Sequence, residues 1–384
     1  MGEIVEDTFR KLRLNSPGGV LFPALQRFYW LITESNIPYT DLFFSPYLRE
    51  IQISPTQSWI GSGVPRAIMP AIASTVAALP ASTLRSLRVT YGEPWADLED
   101  ALSSVALRCG PSLTEFVSPI PLSGAAINRL IHLPHLRIWY LGGSPPSYSN
   151  LQLPPVFPPL TQFTLWGGGS RDWLSLFKRL ERGGSSTQGV TPLSGMKESL
   201  ETLEFGNSSD LIINALFTTT TQIFRNLVFL YADTSCHEDG FEGPCPFKLD
   251  NDNVTRLAMA LPRLERLLIG RPCFKNTCAT TVACLLPISV HCLELQNLEI
   301  HFNTTNIVGD LSDLSENPRF EELRSLPRCS LSCLNIWKTP LTIDESDFEA
   351  VVNGMVDIFP CLDSCEEDTE NSDWEEFFGE LMRM

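Results

Sequence analysis

The sequence predicts an α/β solenoid, with short parallel strands along one side and helices packed outside them. Three observations predict it. A six-residue apolar motif recurs along most of the chain, segments with helical spacing separate its copies, and Leu-Pro steps join several of those segments to the next copy. At 384 residues a chain of compact domains would hold two or three of them, whereas a repeat array of this length is one extended unit.

The motif reads Leu-x-x-Leu-x-Leu, with Ile, Val, Phe, Trp or Ala at the second and third apolar places. Its copies are Leu25-Phe28-Trp30, Leu48-Ile51-Ile53, Leu84-Leu87-Val89, a weak Leu113-Phe116, Leu136-Trp139-Leu141 and Leu160-Phe163-Leu165. They continue with Leu200-Leu203-Phe205, Leu227-Leu230-Ala232, Leu264-Leu267-Ile269, Leu295-Leu298-Ile300 and Leu331-Leu334-Ile336. The alternating pair that ends each copy is a short strand with one buried face, and the leading Leu packs beneath it. One such strand cannot bury its own apolar side, so the copies must stack into a parallel sheet with a continuous core. The leading leucines lie 23 to 40 residues apart, wider and less even than the roughly 20 to 29 of regular leucine-rich repeats. The reading is therefore an irregular leucine-rich-repeat solenoid, strands on the concave face and helices outside, over residues 21–362. Residues 1–20 form a lead-in and 363–384 an acidic tail. A two-domain α/β protein would also alternate strand and helix. The number of copies and their shared lead-in favour the solenoid.

The helical segments are Ala67 to Ala78, Trp95 to Leu107, Ala125 to Leu133, Trp173 to Leu180, Val254 to Leu261 and Phe348 to Phe359. Several end at a proline step, Leu79-Pro80, Leu133-Pro134 and Leu261-Pro262. Proline cannot continue a helix and biases the residue before it toward extended backbone, so the chain leaves the helix and enters the next strand.

Pro17-Gly18-Gly19-Val20-Leu21-Phe22-Pro23-Ala24-Leu25 resembles the opening of the repeat region in fungal F-box/leucine-rich-repeat proteins. Trp30-Leu31-Ile32-Thr33-Glu34-Ser35 and Asp41-Leu42-Phe43-Phe44-Ser45-Pro46-Tyr47-Leu48 carry the resemblance on, and it reaches Ile358-Phe359-Pro360-Cys361-Leu362. It implies that the repeats capture a protein substrate while an N-terminal F-box engages the Skp-type adaptor of a cullin ubiquitin ligase. Nothing upstream of Phe22 is long enough to hold an F-box of roughly forty residues. The expected function is thus the substrate-recognition part of such a receptor without a visible F-box. The alternative is an F-box-less repeat scaffold with no link to ubiquitin, and a nucleotide-binding enzyme ranks behind both.

Composition narrows the setting. The first fourteen residues mix Glu3, Glu6, Asp7, Arg10, Lys11 and Arg13 with no apolar run behind them, unlike a signal peptide. No stretch of about 18 apolar residues exists that could span a bilayer. The expected compartment is cytoplasmic or nuclear. The eleven cysteines are odd in number and scattered, as expected of reduced and mostly buried residues. The Asn-x-Ser/Thr matches at Asn207, Asn253 and Asn303 then carry no glycan.

No enzyme motif survives inspection. Phe163 to Trp173 reads as strand, glycine loop (Gly167-Gly168-Gly169) and helix start, which could cradle a phosphate. It lacks the Gly-Lys-Ser/Thr of a P-loop and does not fit Gly-x-Gly-x-x-Gly. Glycines also follow other strands, at Gly92, Gly142, Gly206 and Gly270, where the chain is expected to turn out of the sheet, and Ser170 then reads as a helix N-cap. Cys236, His237 and Cys245 share a polar loop, but no Cys-x-x-Cys occurs and Cys329/Cys333 and Cys361/Cys365 are four apart, so no metal site is expected. His132 and His135 flank a Leu-Pro step as edge residues, and no Gly-x-Ser-x-Gly elbow is present. No catalytic residue, cofactor or metal is assigned.

Charge speaks to partners. The net charge is −17, and residues 341–384 hold fourteen acidic residues against Arg383, which is −13 of it. Nucleic acid and anionic membranes both require a basic face and are not expected partners. The acidic run reads as a solvated tail, and its apolar stripe of Trp374, Phe377, Phe378 and Leu381 suits a cap on the solenoid end or a partner's groove, with capping or disorder favoured over docking. The expected partner is a protein on the concave face. Residues alternating with the buried ones point there: Tyr29, Arg88, Tyr140, Trp166, Tyr231, His301 and Trp337. Aromatics and arginine are the types that dominate binding hot spots.

Overall fold

A computed structural model describes residues 2–16, 19–55, 65–90, 96–142, 152, 154, 156–166, 196–206, 224–232, 249–269, 279–316, 318, 325–335, 347–360, 362 and 364–366. The chain divides into two compact units. One comprises residues 1–168 with 179–196, the other 197–384 with 169–178. Each is an α/β leucine-rich-repeat solenoid whose parallel strands follow one another in chain order.

In the first unit the strands are β1 (Arg27–Ile32), β2 (Glu50–Pro55), β3 (Ser86–Val89), β4 (Glu115–Ser118), β5 (Ile138–Gly142) and β6 (Gln162–Trp166). Each is parallel to the next and in register, so equivalent motif positions fall on one line across the sheet. The inward line Phe28, Ile51, Leu87, Phe116, Trp139, Phe163 is the core of the unit, and all but Phe28 are at most 1% exposed. Trp139 and Phe163 stack across the β5–β6 pair at 5.3 Å between ring centroids. The second inward line runs Trp30, Ile53, Val89, Ser118, Leu141, Leu165. Ser118 explains why the fourth copy of the motif looks weak. It is fully buried, and its hydroxyl donates to Ile120 O at 3.0 Å and accepts from Ile120 N at 3.2 Å, so the polar group is satisfied within a turn of chain.

Helices α2 (Met69–Ala77), α3 (Ala96–Arg108) and α4 (Gly124–Leu130) occupy the connections, α2 packing on α3 and α3 on α4. Their ends are satisfied by a repeated device. Arg108, closing α3, donates to Leu79 O just past α2 at 3.0 Å and also to Ala77 O. Arg129 in α4 donates to Cys109 O just past α3 at 3.0 Å. Each cation caps the carbonyl end of the helix before it, where the helix dipole is negative. Gly142 departs from the expected role. It lies inside β5 opposite Trp166, and a Cβ there would meet Pro119 O at 2.0 Å. Close backbone approach, not a left-handed turn, demands glycine here.

The lead-in is a helix, α1 (Gly2–Asn15), held on the 3-10 segment Ile37–Phe43. Phe9 stacks on Tyr39 at 5.6 Å and meets Phe43 edge-on at 6.2 Å, and Phe43 stacks on Phe28 of β1 at 5.0 Å. Arg13 donates to Pro38 O at 2.9 Å and pairs with Asp41. This aromatic cluster lies against β1, whose inward Phe28 is only half-buried by the sheet.

In the second unit the strands are β7 (Thr202–Gly206), β8 (Phe229–Ala232), β9 (Arg266–Ile269), β10 (Asn297–Ile300), β11 (Cys333–Asn335) and β12 (Ser364–Glu366), where β12 falls inside the segment read as acidic tail. Among these, β7 to β12 pair in parallel register one after another. A ladder of leucines, Leu203, Leu230, Leu267, Leu298 and Leu334, each at most 4% exposed, forms the inward line. Burying each contributes roughly 1.5–3 kcal/mol. Helices α5 (Asn251–Ala260), α6 (Leu285–His291), α7 (Ile307–Glu316) and α8 (Phe348–Ile358) cover the other side of the core. Asp250 caps α5, its carboxylate accepting from Asn253 N at 2.7 Å.

The cysteines Cys109, Cys284, Cys292 and Cys329 are buried and Cys333 is half-buried. Helix Trp173 to Leu180, the glycine loop with Ser170, Gly92, Gly270, Asn207, Cys236, His237, Cys245, Cys361, Trp337 and the stripe Trp374 to Leu381 lie outside the described residues. Asn253 is buried in α5. No helix among the described residues is long and apolar enough to cross a membrane.

Candidate binding surface

Because side chains alternate along a strand, every second residue of each sheet projects away from the helices. In the first unit this strand face has two complete lines. One runs Arg27, Glu50, Ser86, Glu115, Ile138, Gln162, and the next Tyr29, Gln52, Arg88, Val117, Tyr140, Thr164. Three residues singled out from the sequence, Tyr29, Arg88 and Tyr140, therefore stand on one line. Tyr29 and Tyr140 are four strands apart, roughly 19 Å at ordinary strand spacing. Tyr29 is 70% exposed, Arg88 is exposed and Tyr140 half-buried. Trp166 stands on the following line opposite Gly142 and is half-buried.

Between β1 and β4 the face opens into a cleft of about 530 Å³, lined by Phe28, Tyr29, Glu50, Ile51, Gln52, Arg85, Ser86, Arg88, Thr114 and Glu115. Charged pairs brace it. Arg27 Nε lies 3.0 Å from Glu50 Oε2, and Arg88 Nη2 lies 2.5 Å from Glu115 Oε1. Ser86 donates to Glu115 Oε2 at 2.6 Å. Glu115 is 9% exposed, and its Oε1, although beside the guanidinium, accepts no aligned hydrogen bond. That oxygen has a counter-charge but not a directed donor, and it is out of reach of solvent.

In the second unit Tyr231 stands on the line Glu204, Tyr231, Leu268, Glu299, Asn335 of strand-face positions, and His301 follows β10 directly. Both Tyr231 and His301 are half-buried. His132 and His135 are exposed, as edge residues should be. Among the described residues no group of three His, Cys, Asp or Glu side chains is placed to hold a metal ion.

Sequence reading missed Glu115, Ser86 and Glu50. The signal was present in part, since each precedes an inward residue of the motif by one place. The weak fourth copy, lacking a third apolar residue, hid the register that sets Glu115 beside Ser86 and Arg88.

No protein-family model matches this sequence, and no curated protein matches it. Solved structures that it is similar to include a chain in the crystal structure of the Rad7 and Elc1 complex of yeast, with a TM-score of 0.39 and 14% identity over 90% of each chain.

Proposed function

We propose that this chain is a protein-binding leucine-rich-repeat scaffold that holds a partner on the strand face and carries out no reaction of its own. The observation that supports it is the strand face of the first unit. There, exposed Tyr29, paired Arg88 and the half-buried Tyr140 stand on one line beside a cleft, with the described helices on the opposite side. Large amphipathic side chains on a rigid sheet bind with little loss of conformational freedom.

The resemblance of the 17–48 segments to F-box/leucine-rich-repeat proteins extends the proposal. The bound partner is then a substrate for ubiquitin transfer, a Skp-type adaptor is engaged through an F-box encoded upstream, and the working compartment is the cytoplasm or nucleus. Mapping the 5′ end of the native transcript separates the two readings. An in-frame F-box upstream supports the receptor, and a transcript that starts just before Met1 leaves a scaffold without that link.

The binding reading itself is tested with a photo-crosslinking amino acid placed at Tyr29, Gln52 or Tyr231 on the strand face, and at Ala71 or Ser104 on helices. Partner adducts from the strand-face positions and not from the helices are the expected result. Adducts from the helices alone would overturn it.

A further inference from the structure

Arg49, Arg85 and Arg137 share one position in the first unit. Each stands immediately before the first registered residue of β2, β3 and β5, with Thr114 at the equivalent place before β4. Their backbones continue the sheet ladder. Arg85 N donates to Arg49 O at 2.6 Å, Thr114 N to Arg85 O at 2.8 Å, and Arg137 N to Thr114 O at 2.7 Å. The three arginines therefore form a row across four neighbouring strands, and all three are exposed.

The row runs against the charge of the molecule, which is −17 overall. Arg27 and Arg88 beside it are matched by Glu50 and Glu115. Among the described residues no carboxylate pairs with Arg49 or Arg85. Five arginines against two carboxylates leave the strip with an unneutralised positive charge. Arg85 also lines the cleft that holds Glu115.

We propose that this strip docks an acidic segment of a partner polypeptide, lying extended across β2 to β5. Its carboxylates engage Arg49, Arg85 and Arg137. The inference rests on the strand-face binding reading above and names the chemistry of the partner. Strands are about 4.8 Å apart, so Arg49 and Arg137 are roughly 14 Å apart. Side chains on one face of an extended peptide recur about every 6.8 Å, so acidic residues at i, i+2 and i+4 span the same roughly 14 Å. Guanidinium groups take carboxylates bidentately. A polynucleotide fits less well, because its phosphates would approach the carboxylates of Glu50 and Glu115.

The test uses the full chain and a labelled, end-capped peptide of alternating Glu and Ser, read by fluorescence anisotropy at low salt. A Gln-Ser peptide and a single-stranded oligothymidylate serve as controls. The Glu-Ser peptide is expected to bind and the Gln-Ser peptide not to. Arg49→Glu with Arg85→Glu should weaken binding about tenfold or more, since opposite charge across an interface is replaced by like charge. Both side chains are exposed, so the melting temperature should stay unchanged. If that double variant melts early, Arg49→Gln with Arg85→Gln replaces it and should still weaken binding. No binding of the Glu-Ser peptide, binding indifferent to both pairs of substitutions, or tighter binding of the oligothymidylate would each overturn the proposal. Partner crosslinking at Tyr29 that persists in any of those cases preserves the strand-face reading while this one falls.

Discussion

Arg88 reaches diagonally from β3 to Glu115 on β4, bringing Nη2 within 2.5 Å of Oε1, while Ser86, directly opposite Glu115, donates to Oε2 at 2.6 Å. A carboxylate buried on an otherwise open sheet face is thus held by one cation and one hydroxyl from the neighbouring strand. Arg88→Ala strands the charge and should destabilise the fold by about 1–2 kcal/mol, less than the roughly 3–5 of a wholly buried pair because Arg88 stays wet. Arg88→Ala with Glu115→Ala should recover part of the loss. Strict additivity in urea denaturation would show that the two side chains are not coupled.

Trp139 offers a sharper contrast in the core. Its ring is buried against Phe163, yet its Nε1–H has no hydrogen-bond partner. Trp139→Phe removes the unsatisfied donor along with some volume, and the two effects oppose one another, so the expected cost is within about 1.5 kcal/mol. Trp139→Ala empties the site and should cost about 3–5 kcal/mol. Equal losses for the two variants would show that the orphan N–H carries no penalty.

Burial pushes the thiols of Cys109 and Cys292 up to about 12. Little thiolate then exists at pH 8, and the thiolate is the form that reacts. In the native protein both should resist iodoacetamide at that pH and become labelled once urea unfolds the chain, as read by peptide mass spectrometry. Rapid labelling of either under native conditions would contradict the burial.

His291, in the last turn of α6, has its pKa held below the ordinary value of 6.5 by burial. The unfolded chain therefore binds the proton more readily than the folded one. The stabilising preference for neutral imidazole is complete above about pH 6.5 and is lost as pH falls below it. His291→Gln should flatten the fall in melting temperature between pH 7 and 5. A slope unchanged by the substitution would assign the fall to other groups.

Tyr29 is exposed on the strand face, and little of its side chain is packed. Tyr29→Ala should leave the melting temperature within about 2 °C, as surface substitutions usually do, while lowering partner binding by about 1 kcal/mol or more as a hot-spot aromatic would. A large drop in melting temperature, or unchanged binding by titration calorimetry, would remove it from the partner surface.

The sequence by itself determined the repeat and its period of strands. A buried leucine ladder such as Leu203, Leu230, Leu267, Leu298 and Leu334 follows from local alternation, because one strand cannot bury its own apolar face and must stack on its equivalents. It determined most helices for the same reason, since apolar spacing and the Leu-Pro stops act within a few residues. Helices α1, α6 and α7 went unread: α1 is polar along much of its length and gains its place from Phe9 and Arg13 meeting Tyr39 and Asp41, α6 is too short for its spacing to stand out, and α7 buries only Ile307 and Leu311 around an internal Gly309. Only the tertiary structure decided which exposed residues meet. Glu115 joins Arg88 and Ser86, and Arg49 joins Arg85 and Arg137, because parallel register aligns positions 23 to 36 residues apart in the chain. Nothing local in the sequence encodes such neighbours. They are set by the stacking of a buried face, and the outward side chains inherit a geometry that the inward ones impose.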